Sequence, residues 1–138
     1  MARTTTSSSV WQALVRPRRN TEYRAVWQNV PSDATNVLVT PMVTLRIASG
    51  HRVSVRAYAD VSLRGHRVLM ERLDRRHHVW RTMRSVRLTR LHANSTSYIA
   101  DALVRLRVPR GTIARAYLTR RQAGPAMFGP AWSRALRA

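Results

Sequence analysis

The sequence predicts an all-β fold, an antiparallel β-sandwich, and three observations support that class. The first is Arg67–Leu88, where two runs of β-type residues flank a polar turn, as in a β-hairpin. The second is the alternation of apolar and polar residues in Val43–Ile47 and Val53–Ala57, typical of strands with one buried face. The third is the regular placement of turn residues between short runs, without a segment of helical periodicity.

Within the central hairpin, the turn Asp74–His78 joins the strands Arg67–Leu73 and Val79–Leu88. Apolar and polar residues do not alternate strictly in the first strand, so apolar side chains point to both of its faces. This pattern predicts a β-bulge or two covered faces. The remaining predicted strands are Val10–Val15, Tyr23–Trp27, Asn36–Thr40, Tyr98–Val108, Thr112–Thr119 and Trp132–Arg137, with a Gly- and Pro-containing loop from Gln122 to Pro130.

The composition limits the possible classes of protein. The chain has 138 residues, of which 44% are hydrophobic, enough for one domain with a core, or one domain and part of another. It has no cysteine, which excludes disulfides, thiolate metal sites and cysteine nucleophiles. No run of 18 apolar residues occurs, so we expect no membrane insertion. Met1–Ser9 lacks the apolar core of a signal peptide, so any export signal is expected upstream.

The net charge is +19, and all 25 basic residues are arginine. One interpretation is a solvated arginine surface that follows from a GC-rich coding bias. The other is a surface that binds nucleic acid or an anionic cell-wall polymer, because a positive field attracts polyanions. The candidate polyanion-binding residues are Arg64, Arg67, Arg75, Arg76, Arg105 and Arg107.

An internal repeat is the most informative pattern. The segment from Val15 to Ala25 (Val-Arg-Pro-Arg, then Thr, then Arg-Ala) is echoed from Arg107 to Ala116. The spacing of roughly 91 residues suits one sandwich domain. We therefore predict that residues 1–40 are the last three strands of a preceding repeat and that residues 41–138 are a complete domain. Alternatively, residues 1–40 are N-terminal strands that pack on that domain.

These motifs carry a family resemblance. The stretch Gly65–Leu88 resembles the hairpin of bacterial immunoglobulin-like repeats in exported proteins of high-GC Gram-positive bacteria, and Val15–Arg24 is similar to their penultimate hairpin. Trp132–Arg134 resembles their closing strand. The resemblance implies an immunoglobulin-like (fibronectin-III-like) β-sandwich, neighbouring repeats as partners, and an extracellular or cell-surface location. One departure is that the second copy has Ile113-Ala114 where the first has Tyr23, so the tyrosine that anchors that corner in the family is missing from the complete domain.

No motif indicates catalysis, so we expect a protein that is not an enzyme. There is no nucleophile elbow, phosphate loop or dinucleotide fingerprint, and we expect no cofactor. His77 and His78 are adjacent without a third ligand nearby, which argues against a metal site. Trp80 is expected in the core, and the six scattered acids are expected to pair with arginines. The favoured function is a structural, spacer or adhesion-type module of an exported protein. The alternative is a basic polyanion-binding protein, which would suit a cytoplasmic location.

Overall fold

Short β-strands account for most of the regular structure in the computed structural model, which describes residues 4–7, 10–49, 51–94, 97–124 and 128–138. All strand pairs among these residues are antiparallel, which confirms the predicted all-β class. In chain order the elements are β1 (Thr4–Ser7), β2 (Val10–Ala13), β3 (Thr21–Tyr23), β4 (Val26–Trp27), β5 (Val30–Pro31), β6 (Thr35–Val37), β7 (Met42–Ala48), β8 (Arg52–Ala59), β9 (Arg67–Asp74), β10 (Val79–Arg87), β11 (Arg90–Ala93), β12 (Tyr98–Arg105), β13 (Ile113–Leu118), helix α1 (Arg120–Ala123), β14 (Ala131–Trp132) and β15 (Leu136–Arg137).

Residues 41–138 form two sheets that share one hydrophobic core. The first sheet has the strand order β11–β12–β8–β7. The second has the order β10–β9–β13, and β14 and β15 pair in turn with the free edge of β13. Side chains from both sheets are buried in a single cluster, which includes Val53, Val55, Met70 and Leu118. Burying each such side chain contributes about 1.5–3 kcal/mol, so this core stabilises the two sheets together.

The alternation in the sequence accounts for this core. In β8, Val53, Val55, Ala57 and Ala59 are buried, whereas the residues between them are more accessible to solvent. Strand β13 follows the same period of two residues, with three buried apolar side chains. Both strands therefore turn one face towards the core.

The central hairpin, β9 and β10, contains the predicted bulge. Its register shifts between Thr82 and Arg84. The shift allows Val86 to lie opposite Val68, where both side chains are buried. The other face of β9 is half-buried at Leu69, so both faces of this strand are covered.

The N-terminal segment has strands without a core. Strands β3 and β6 pair, as do β4 and β5, around a tight turn at Gln28 and Asn29. Both turn residues have positive φ, 46° and 65°, as a two-residue hairpin turn requires. Of the side chains described between residues 13 and 40, none is buried. Tertiary burial therefore contributes little to this hairpin.

The N-terminal segment meets the two sheets at a small junction. Arg18 Nη1 lies 3.5 Å from Asp60 Oδ1, and Arg19 Nε lies 3.7 Å from Asp60 Oδ2. The Gly129 amide donates a hydrogen bond of 2.8 Å to the Val39 carbonyl. The contacts place the segment beside the loops that follow β8 and α1.

Several predicted strand bounds differ from the structure. The predicted strand Tyr23–Trp27 is divided into β3 and β4, and Trp132–Arg137 is divided into β14 and β15. Each break lies where a serine hydroxyl, rather than a backbone carbonyl, accepts the hydrogen bond from a strand amide. Helix α1, β1, β5 and β11 were not predicted. Among the described residues, no helix is long and apolar enough to cross a membrane.

Candidate functional site

The six predicted arginines lie at opposite ends of the 41–138 domain. We call the end with the β8–β9 and β13–β14 connections the upper end, and the end with the β7–β8 and β9–β10 turns the lower end. Strand β9 runs between these ends and its eight residues span roughly 25 Å. All six side chains are exposed: Arg64 and Arg67 at the upper end, and Arg75, Arg76, Arg105 and Arg107 at the lower end. The structure therefore does not bring them together as one site.

The upper pair is held by local contacts. The Arg67 amide donates a 2.7 Å hydrogen bond to Gln122 Oε1, and the Arg67 guanidinium lies 3.5 Å from Ser85 Oγ. The Arg64 amide donates to Ser62 Oγ at 3.3 Å. These contacts hold the loop before β9 in place.

The lower end holds an open depression of about 640 Å³ that is rich in arginine. It lies between the tip of the β9–β10 hairpin and the segment that leads into β13. Of the six predicted residues, only Arg75 lines it. Its complete lining is Arg72, Leu73, Asp74, Arg75, Arg81, Arg110, Gly111, Thr112 and Ile113.

The one acid in this depression is Asp74, and it neutralises one of the four arginines. Its Oδ2 atom lies 3.0 Å from His77 Nδ1 and 2.8 Å from Arg81 Nε. The hydrogen bond from His77, followed by that from Arg81, lowers the pKa of Asp74 to about 2. The carboxylate is therefore charged at neutral pH and occupied by Arg81.

Three arginines remain to attract an anion. The Arg75 guanidinium makes one long hydrogen bond, 3.4 Å, to the Gly111 carbonyl. Within the part of the chain that the structure describes, the guanidinium groups of Arg72 and Arg110 have no hydrogen-bond or ion-pair partner. Guanidinium groups that line one concavity can bind the oxygens of a phosphate or a carboxylate. We call this arrangement the basic depression.

Sequence reasoning missed Arg72, Arg81 and Arg110 at this site. Arg81 lies opposite Arg72 in the hairpin register, so counting outward from the turn could have paired them. Arg110 belongs to the repeated Pro-Arg motif, but its approach to the hairpin tip depends on packing between strands distant in sequence. A pattern in the sequence does not reveal such a contact.

A second cluster lies on the outer face of the second sheet. The Arg115 guanidinium lies 4.0 Å from the ring centroid of Trp80, and its Nε atom lies 2.8 Å from Glu71 Oε2. Tyr117 and Trp132 stack beside it, with ring centroids 5.1 Å apart and planes inclined by 3°. We call these five residues the outer-face cluster.

The placement of Trp80 corrects the prediction that it lies in the core. Its side chain is half-buried, because it faces Arg115 across the outside of the sheet. The bulge follows Thr82, so Trp80 keeps the phase of the outer face. The planar guanidinium of Arg115 packs on the Trp80 ring and shields it from solvent, in place of core side chains. Trp132 is 49% exposed, and the side chain of Trp11 lies outside the described residues.

The prediction that acids pair with arginines is confirmed for five of the six, including the buried Glu71 and Asp101. Asp101 Oδ1 accepts a hydrogen bond from Arg90 Nε at 2.7 Å. Among the described residues, no group of three or more His, Asp or Glu side chains is arranged to hold a metal ion. The acids of this domain are thus used in ion pairs.

Comparison with known proteins gives no relative from which a function could be transferred. The chain matches no protein-family model, and no curated protein or solved structure matches it.

Proposed function

We propose that the chain is a non-catalytic structural module of immunoglobulin-like fold, part of a tandem-repeat protein that is exported to the cell surface or the medium. Its role is to space and present neighbouring parts of that protein. Adjacent repeats are its immediate partners.

The strand order supports the immunoglobulin-like fold. If β7 is taken as strand A, the first sheet contains A, B, E and D, and the second contains C, F and G with an additional edge strand beside C. This division of strands between two antiparallel sheets is the one found in immunoglobulin-type sandwiches. In this scheme β13 is strand F, and β14 with β15 is strand G.

A hydrogen-bonding feature that occurs twice carries the repeat proposal. The Ala116 amide donates to Ser133 Oγ at 2.9 Å, and the Ser133 amide donates to the Ala116 carbonyl at 2.8 Å. Ala25 and Ser32 make the same two bonds, at 2.9 and 2.8 Å. We call this feature the alanine–serine bridge. It divides both hairpins at the same place, since each bridge is followed immediately by a two-residue ladder.

The flanking registers agree with the bridge. Val26 pairs with Pro31 in the first hairpin, as Tyr117 pairs with Trp132 in the second. The first strands of the two hairpins are therefore offset by 91 positions, from 25 to 116, and the second strands by 101, from 32 to 133. This agreement supports the interpretation of residues 21–37 as strands F and G of a preceding repeat.

Burial at equivalent positions supports the same interpretation. Trp27 and Val30 are 69% and 68% exposed, whereas their counterparts Leu118 and Ala131 are 0% and 4% exposed. A sheet face with large apolar residues at core positions fits a hairpin whose opposing strands belong to the same preceding repeat. Export is supported by the sequence resemblance rather than by geometry.

The mass of the native gene product tests this proposal. Cells and culture medium would be separated, and antibodies against residues 41–138 would detect the protein. We expect a species well above 15.8 kDa in the medium or on the wall. A species of 15.8 kDa inside the cell would overturn the proposal.

Polyanion binding is the second candidate, and the basic depression is the observation that favours it. An anionic cell-wall polymer or a nucleic acid would place neighbouring phosphates against Arg72, Arg75 and Arg110. A single-stranded oligonucleotide and a poly(glycerol phosphate) polymer are suitable probes. Losing two phosphate contacts should reduce the slope of log affinity against log salt by roughly 1.4 for a single strand. The Arg72→Ser/Arg75→Ser variant should show that change.

The matched control removes two exposed arginines outside the depression, Arg46 and Arg120. If the control weakens binding as much as the test variant, binding is a general effect of net charge and the second candidate is wrong. Binding of one probe only would identify the class of polymer.

A further inference from the structure

Asp60 is used differently from the other acids of the 41–138 domain. Glu71, Asp74 and Asp101 all pair with arginines of that domain. The described ion pairs of Asp60 are with Arg18 and Arg19, both in the N-terminal segment. Asp60 thus forms the ionic link between this segment and the upper end of the domain.

Arg110 holds the position in the Pro-Arg motif that Arg18 holds in the first hairpin. Counted by the ladder offset of 91, it corresponds to Arg19, which also lies against Asp60, at 3.7 Å. Arg18 and Arg110 each follow a proline, Pro17 or Pro109, and each precedes the threonine that begins the ladder with the last strand. The ladders beyond them share the register set by the alanine–serine bridges. Arg110 is exposed at the lower end and has no partner within the described residues. The first hairpin thus binds Asp60 through an arginine guanidinium, and the second hairpin has an equivalent guanidinium, that of Arg110, without an ion-pair partner among the described residues.

The surroundings of Arg110 offer room for a second domain. Arg110 also lines another open depression, of about 550 Å³, whose lining is mainly apolar and includes Ile47, Leu106 and Val108. At the existing junction, Val39 covers the upper end in a comparable way. It packs against the core and accepts a hydrogen bond from the Gly129 amide.

We propose that the lower end around Arg110 is a docking surface for the Asp60 loop of another copy of this domain. Copies then stack head to tail in the geometry seen between residues 13–40 and the domain. This inference rests on the proposed repeat function and specifies how neighbouring repeats contact each other. The partner is another copy of this domain because Asp60 and Arg110 occur on opposite ends of the same fold.

The contact is weak unless the copies are joined. The Arg18 and Asp60 side chains are 72% and 25% exposed, and exposed ion pairs contribute little stability. A covalent link raises the effective concentration of the two ends to the millimolar range, on the order of that for short linkers. Separate copies are therefore expected to remain monomeric.

The test uses a tandem protein in which residues 38–138 follow directly after Ala138. This fusion continues the register, because Ala138 corresponds to Val37. The chain has no cysteine, so introduced cysteines report without background. Cysteines would replace Pro109 in the first copy and Ser62 in the second, joined by a short bis-maleimide. Pro17→Cys with Ser62→Cys in the original chain is the reference pair.

We expect the tandem pair to be captured within about threefold of the reference rate, since both pairs are tethered by similar linkers. Arg110→Glu in the first copy should slow capture on the order of tenfold, as expected when attraction becomes repulsion. Adding Asp60→Arg in the second copy should restore it. Arg120→Glu, at the upper end of the first copy, is the matched control and should leave the rate unchanged.

Other outcomes overturn the inference in distinguishable ways. Capture of the reference pair without capture of the tandem pair would exclude docking but leave the repeat proposal intact. Equal slowing by Arg110→Glu and Arg120→Glu would show an effect of net charge alone. Failure of both pairs would contradict the junction geometry on which the repeat proposal also depends.

Discussion

The two hairpins of this chain share a hydrogen-bonding scheme and differ in what covers them. In residues 113–137 the inward positions belong to a closed core, whereas in residues 21–37 they face solvent. The two hydrogen bonds of the alanine–serine bridge have the same lengths in both hairpins to within 0.1 Å. The shared bonds indicate that local sequence specifies the hairpin geometry. From the difference in burial we expect the stability of each hairpin to depend on the opposing sheet.

The largest expected difference is at the position shared by Leu118 and Trp27. Leu118→Ala should lower the free energy of unfolding by about 2–5 kcal/mol, because it leaves a cavity in a closed core. Trp27→Ala should change it by less than about 0.5 kcal/mol, as for other exposed sites. Urea denaturation of both variants measures the difference. A large effect of Trp27→Ala would mean that the first hairpin already has a core.

The next difference concerns Arg115 and its counterpart Arg24. Arg115→Ala should cost about 2–4 kcal/mol, because it leaves the buried Glu71 carboxylate unpaired and uncovers Trp80. Arg24→Ala breaks an exposed pair with Glu22 and should cost at most about 0.5 kcal/mol. Denaturation gives both values, and the fluorescence of Trp80 should change only in the first variant. Arg115→Lys should retain part of the stability that Arg115→Ala loses, but it should not retain the wild-type fluorescence spectrum of Trp80.

A smaller difference is expected for the alanine–serine bridges themselves. Ser133→Ala removes a buried acceptor from the Ala116 amide and should cost about 1–3 kcal/mol. Ser32→Ala should cost a few tenths of a kcal/mol, since water can reach the Ala25 amide. Amide hydrogen exchange at Ala116 and Ala25 follows each bond separately. Equal losses at both sites would show that burial does not decide the strength of the bridge.

The smallest expected effect is a pH dependence at Asp74. Its pKa in the folded protein, about 2, lies below the ordinary value of 3.8, so ionisation of this carboxyl favours folding above that value. The contribution is lost as the pH falls from about 4 to about 2. Asp74→Asn should therefore flatten the acid limb of stability against pH, measured by thermal melts. The control Asp33→Asn, an exposed acid of the first hairpin, should leave that limb unchanged.

Much of the fold of residues 41–138 could be predicted, because it depends on local patterns. Alternation specified β7 and β8. The mixed phase of β9 predicted a β-bulge or two covered faces; both faces of β9 are covered, and the register shift of the hairpin lies in β10, between Thr82 and Arg84. The breaks at Ser32 and Ser133 could not be predicted, because a side-chain hydroxyl replaces a backbone acceptor there. The prediction that Trp80 lies in the core was wrong, because the sequence pattern does not show where in β10 the register shifts.

The candidate site was less predictable than the fold. Arginine occurs throughout the sequence, so frequency alone could not separate Arg72 and Arg110 from Arg64 and Arg105. Only the distance between the hairpin tip and the segment before β13 groups the first two in one concavity. The useful signal was the internal repeat, whose Pro-Arg motif relates Arg110 to the Arg18–Arg19 pair of the first hairpin.

The connection between the paired strands also differs between the hairpins, with two residues at Gln28–Asn29 and twelve from Thr119 to Pro130. Closing the longer loop costs only roughly 1.6 kcal/mol more by chain entropy. The framework on either side keeps its register despite this change in length. The tip of the first hairpin, the exposed Gln28–Asn29 turn, is therefore an insertion point, where a foreign peptide could be grafted and displayed without disturbing the strands that carry it.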